Sequence, residues 1–230
     1  NPLIFSKLIS LYGEETGRIT FSRLESILSE FEDLVEQHSD GKALFSERDV
    51  VLITYGDLLK QAGKAPLNVL RQFFSQSLKD VINTIHILPF FPYSSDDGFS
   101  VIDYLSVDPE LGDWQDIWAF GNDNVRLMFD VVINHISVLS TWFQKFLAND
   151  PQYRDYFITA DPEWDYAQVT RPRTTPLITL FRTEEGDKWV WTTFSADQVD
   201  LNYQNPDVFL SIIEILLTYV RHGASLLRLD

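Results

Sequence analysis

Two short runs carry side chains able to do chemistry. The first is Arg228-Leu229-Asp230. On a β-strand, Arg228 and Asp230 project to the same side. A guanidinium there holds the carboxyl ionised by opposite charge and hydrogen bonding. An ionised carboxylate is the nucleophile of a retaining glycosidic reaction; the same pair is also the signature of a structural ion pair. The second run is Asp130-Val131-Val132-Ile133-Asn134-His135. Strand alternation puts Asp130 with Val132 and Asn134, opposite Val131, Ile133 and His135. Asp130 and Asn134 then read as braces for loop backbone. A third run, Asp96-Asp97-Gly98, superficially suggests a calcium loop but lacks the downstream Glu spacing, so no metal site is expected.

These residues need elements to position them. Residues 1–48 read as helical. Ser22 and Glu25 fit a capping box, followed by Leu24, Ile27, Leu28, Phe31, Leu34 and Val35 at helical spacing, with Asp40-Gly41 as the stop. Apolar strands then alternate with helices: strands over 50–54, 84–88, 127–133 and 224–229, and helices over 69–81, 113–120 and 141–147. Residues 150–204 interrupt the rhythm with four prolines and short β-like runs such as 189–193, an excursion from a regular scaffold. A last helix follows, with Asn205 as N-cap, Pro206 at its first position and Gly223 closing it. Continuous apolar strands between helices predict an α/β fold with a parallel sheet covered on both faces. Thr54-Tyr55-Gly56-Asp57-Leu58 is no dinucleotide fingerprint, which favours a barrel over a doubly wound sheet. Barrel chemistry sits at the C-terminal ends of strands, where Asp57, Asp96, Asp97, Asn134, His135 and Asp230 collect.

Composition bounds the partners. The net charge of −16 offers no basic face for nucleic acid. The absence of cysteine excludes disulfides and thiolate metal sites and fits a cytoplasmic location. No apolar run reaches membrane-spanning length, and the opening residues lack a signal-peptide pattern, so no membrane partner is expected. The 17 Phe, 9 Tyr and 6 Trp read mostly as core filling; because aromatics also stack on sugar faces, their number slightly favours a carbohydrate site.

Taken together, Asp130–His135, Gln198-Val199-Asp200-Leu201-Asn202 and Arg228–Asp230 resemble, in order and spacing, three signature regions of glycoside hydrolase family 13, the α-amylase family. The segment from His86 through Asp96, Asp97, Gly98 and Phe99 to Asp103-Tyr104, with Arg171-Pro172-Arg173, is similar to the sucrose phosphorylase subfamily, and most of all to glucosylglycerate phosphorylases. The resemblance implies the N-terminal half of a (β/α)8 TIM barrel. Its parts would be a helical extension over 1–48, strands one to three over 49–136, a domain B insertion over 137–204, and the third barrel helix with strand four over 205–230. It implies Asp230 as nucleophile, oriented by Arg228. Asp96, Phe99, His135, Tyr55 and Gln198 would bind the donor glucose, and Arg171 or Arg173 would grip phosphate or an anionic acceptor, since guanidinium suits oxyanions. The implied activity is that of a glycosyltransferase-type phosphorylase. It would act by double displacement on an α-glucoside such as glucosylglycerate or sucrose, with inorganic phosphate yielding α-glucose 1-phosphate and no cofactor. The alternatives are a hydrolase or transglucosidase of the same family, and a non-catalytic barrel relative serving as a binding subunit. The acid/base Glu and a further Asp of the family lie on later strands, so the chain reads as a fragment whose first partner is the remainder of the barrel. The acceptor (glycerate, glycerol, fructose or fructose phosphate) stays open, as does a homodimer.

Overall fold

A computed structural model describes residues 1–34, 45–123, 125–171 and 173–230. Its centre is a four-stranded parallel sheet made of β1 (Val51–Thr54), β2 (Thr84–Ile87), β3 (Arg126–Val131) and, last in the chain, β8 (Ala224–Leu229). The strands lie side by side in chain order, as successive βα units place them. Their connections contain α3 (Pro66–Ser77), α4 (Trp114–Ala119) and α6 (Pro206–Arg221). Leu67, Leu70 and Phe74 of α3 and Ile212, Ile215 and Tyr219 of α6 join Ile85, Ile87 and Phe129 of the sheet in one buried core. Phe91 stacks on Tyr219 within it, with centroids 4.9 Å apart.

The excursion between β3 and α6 builds structure of its own. Strand β4 (His135–Ser137) pairs antiparallel with β7 (Gln198–Asp200), and β5 (Ile178–Thr183) forms a hairpin with β6 (Gly186–Trp191). Helix α5 (Thr141–Leu147), capped by Ser140, packs Phe143 and Phe146 against Phe157. The expected helices and strands recur within a few residues, but several local readings need correction.

The Ser22–Glu25 capping box is not used. Helix α2 (Glu14–Glu30) starts at Gly13 and runs through Ser22, whose carbonyl accepts from the Ser26 hydroxyl. Tertiary packing overrides the local signal: α2 lies so close to α1 (Pro2–Tyr12) that a Cβ on Gly17 would meet Ile9 Cα at 2.7 Å. Val35 and the Asp40-Gly41 stop lie outside the described residues, and residues 45–48 form a turn rather than helix. Helix α3 begins at Pro66, three residues before the expected 69, and is over by Ser77. The expected strand over 127–133 stops at Val131, so the predicted alternation does not extend to Asn134 and His135. The Tyr104 hydroxyl bonds the Val132 and His135 carbonyls where the chain leaves the sheet. Asp130 braces no loop. It is fully buried and turned along the sheet toward its strand neighbours.

Candidate active site

Register explains how the charged groups meet. Asp130 stands opposite Arg228 across the β3–β8 pair, and His86 is two positions offset from it on β2, opposite Met128. Side chains of one parity share a face, so His86, Asp130 and Arg228 converge. Asp130 Oδ2 lies 2.9 Å from His86 Nε2. Arg228 Nη1 donates to both Asp130 oxygens at 2.9 and 3.0 Å, and its Nη2 lies 2.5 Å from Asp230 Oδ1. The backbone N–H of Asp230 donates to the Val131 carbonyl, extending the strand pairing to the carboxylate itself. Burial opposes the charge on Arg228, but hydrogen bonds and opposite charge from Asp130 and Asp230 more than offset it and raise its pKa. The guanidinium therefore stays charged and holds Asp230 by hydrogen bond and opposite charge.

Around Asp230 opens a pocket of about 320 Å³ lined by Tyr55, Asp96, Asp97, Phe99, His135, Arg173, Phe194, Arg228 and Asp230. His135 is buried, and the Asn134 amide is 3.3 Å from its Nδ1 while its Nε2 lies 2.9 Å from the Phe99 carbonyl. That pairing fits a neutral imidazole with its proton on Nε2. Desolvation lowers its pKa, against the raising effects of the Phe99 carbonyl, Asp230 and Asp96. Tyr55, just past β1, has its phenol pKa raised by burial and then by the charges of Asp97, Asp96, Asp130 and Asp57. Asp96 accepts from the Gln198 amide at 3.0 Å and has Arg173 at 3.6 Å. Phe194 leans over His135, with rings 5.0 Å apart.

Of the residues singled out in the sequence, Tyr55, Asp96, Phe99, His135, Arg173, Arg228 and Asp230 come together in this pocket. Gln198 sits behind it, bonded to Asp96. Arg171 does not line it; it donates to the Thr193 carbonyl at 3.3 Å and to the Thr175 carbonyl of its own loop. Two neighbours had no assigned role: His86, which only strand register brings to Asp130, and Phe194, for which no local pattern existed. Among the described residues no group of three His, Asp or Glu is disposed to hold a metal ion.

The family profile for the α-amylase catalytic domain matches residues 76–230, two thirds of the chain. The chain belongs to the α-amylase family. Within that family it is 52% identical over 227 residues to a glucosylglycerate phosphorylase of Allomeiothermus silvanus, covering 99% of this chain and 40% of that protein. A glucosylglycerate phosphorylase of Escherichia coli K12 is 44% identical over 97% of the chain, again with 40% of its own length covered. The crystal structure of sucrose 6F-phosphate phosphorylase from Thermoanaerobacter thermosaccharolyticum superimposes with a TM-score of 0.73 at 32% identity, over 84% of this chain and 41% of that one. The chain thus spans about two fifths of the length of these relatives, and its fold is that of the N-terminal half of the α-amylase barrel.

Proposed function

We propose that the protein containing this chain is a retaining glucoside phosphorylase acting on glucosylglycerate or a related α-glucoside. The observation that carries the reading is the Asp230 carboxylate, held by Arg228 and opening onto the same pocket as His135, Asp96 and Arg173. In the first step Asp230 attacks the anomeric carbon of a bound α-glucoside. A carboxylic acid from a later barrel strand protonates the departing oxygen, and a β-glucosyl ester forms on Asp230. In the second step a phosphate oxygen attacks the same carbon, the ester bond breaks, and α-glucose 1-phosphate leaves with retained configuration. Arg228 holds the nucleophile in place by hydrogen bond and opposite charge. The carboxylate of Asp96 is suited to accept hydrogen bonds from sugar hydroxyls; neutral His135 meets one by giving up its Asn134 or Phe99 partner, while Phe99, Tyr55 and Phe194 supply apolar faces. Gln198 steadies Asp96 from behind.

Phosphate must enter a site crowded with carboxylates. Arg173, bordering the pocket, is the cation suited to draw it in, whereas Arg171 supports the loop that presents Arg173. Val51 and Ile53 on the β1 edge and Leu229 on the β8 edge expose apolar side chains; further barrel strands closing on those edges would cover them. The absence of cysteine suits a cytoplasmic enzyme. The test is incubation of the full-length protein with glucosylglycerate and phosphate, followed by NMR. The reading expects phosphate-dependent α-glucose 1-phosphate. Release of free glucose at a rate indifferent to phosphate would instead make it a hydrolase.

A further inference from the structure

Asp197 lies outside the pocket yet is tied to more hydroxyls than any site carboxylate. Its Oδ2 accepts from the Ser94 hydroxyl at 2.6 Å, the Ser100 hydroxyl at 2.8 Å and the Ser95 hydroxyl. The Ser137 hydroxyl approaches its Oδ1 at 3.4 Å. Ser94, Ser95 and Ser100 form the neck of the loop that follows β2, and Ser137 belongs to β4. The neck is also closed by backbone bonds, Ser94 N to Ser100 O at 3.0 Å and Ser100 N to Ser95 O at 3.3 Å. At the tip, Asp96 and Asp97 both adopt left-handed backbone, with φ of 57° and 50°. Gly98, at φ 103°, has the Pro89 carbonyl where a Cβ would sit. Non-glycine residues persist in that conformation only where their surroundings over-determine it. The residue after Asp197, Gln198, bonds the Asp96 carboxylate at the tip. Two successive residues of the excursion therefore hold one loop, Asp197 at the neck and Gln198 at the point.

We propose that Asp197 is a positioning residue that fixes Asp96 in the glucose subsite by gathering the serine hydroxyls at the neck of the 94–100 loop. The inference rests on the proposed reading that Asp96 contacts the donor glucose. In the full-length protein, Asp197→Ala is expected to raise KM about 10-fold for the glucoside and for glucose 1-phosphate alike, since both fill the same subsite, while KM for phosphate and kcat stay within about 2–3-fold. Asp197→Asn, which keeps one acceptor oxygen and the shape, recovers most of the loss. Asp96→Asn combined with Asp197→Ala should be no worse than Asp96→Asn alone, because residues acting through one another are not additive. A lower kcat with every KM unchanged, or losses that multiply in the double variant, would overturn the proposal by reducing Asp197 to a stability role. Should Asp197→Ala not fold, Ser95→Ala carries the same comparison with a smaller rise of about 2–3-fold, and an unchanged KM there is equally fatal. If the wild-type protein hydrolyses glucosides without regard to phosphate, the phosphorylase reading falls while the same glucoside KM values still decide the role of Asp197. No turnover of any glucoside sinks both.

Discussion

The pocket has two walls built in different ways. The strand wall presents Arg228 and Asp230, backed by Asp130 and His86 of β3 and β2 in a line of short bonds that ends on a carboxylate with no solvent exposure. The excursion wall, from residues between β3 and α6, presents Arg173 half-exposed and 3.6 Å from Asp96, with Phe194 beside it. Sheet register fixes the first wall, because moving one strand would break the backbone ladder as well as the charges. The second is held by loop carbonyls and ring contacts, which leave a long side chain free to adjust. That division suits the proposed double displacement. The atom that forms the covalent bond needs a fixed geometry, whereas the groups that greet phosphate or an acceptor must let ligands in and out.

Substitutions on each wall should break in different ways. The largest effect belongs to Asp230→Asn, which should cut turnover by about 10⁴-fold or more without changing the thermal midpoint, since the amide keeps the shape but cannot form the ester; near-wild-type rates would remove the nucleophile assignment. Next is Arg228→Leu, which leaves buried Asp130 facing only His86. With the Arg228 side chain 41% exposed, the cost should fall at about 2–3 kcal/mol, somewhat below that of a fully buried broken pair, read from urea unfolding. A loss under half of that would show that the strand wall is less tightly coupled than its register implies.

The third test concerns Asp200 on β7, buried and bonded by the backbone and hydroxyl of Thr193. Burial pushes its pKa up from 3.8 to about 6, against those two hydrogen bonds. Between these values the folded chain keeps a proton that the unfolded chain has released. Stability from this group is therefore fully present below about pH 4 and declines as pH rises toward and through about 6, by on the order of 2–3 kcal/mol. Thermal midpoints measured across that range should fall in the wild type and flatten in Asp200→Asn, which has no charge to desolvate; parallel curves would contradict the assignment. The smallest effect is expected at Arg173→Ala, with KM for phosphate rising about 10-fold and the thermal midpoint unmoved. If Arg171→Ala matched it on phosphate KM without loosening the loop, the roles given to the two arginines would have to be exchanged.

Much of this is legible in the sequence. The apolar strand runs, the helix starting at Asn205-Pro206 and the end of β8 at Leu229 are local statements that backbone chemistry enforces. Asp230 and Arg228 were legible because their two-residue spacing on a strand compels proximity. The Ser22 cap was misread because a capping pattern is also an ordinary helical sequence when a neighbouring helix packs against it. Asp130 was misread for a similar reason: whether a strand carboxylate meets loop backbone or a cation depends on which strands flank it.

By itself, then, the sequence determined the alternation of strands and helices, the carboxylate–arginine pair and the exclusion of disulfides and thiolate metal sites, all of which depend on residue types a few positions apart. Only the tertiary structure decided that His86, Asp130 and Arg228 form one bonded series, that Arg173 rather than Arg171 borders the pocket, and that Asp197 gathers four serines from two segments. Those contacts join residues dozens of positions apart, and their geometry is set by strand register and loop closure, which no local pattern specifies.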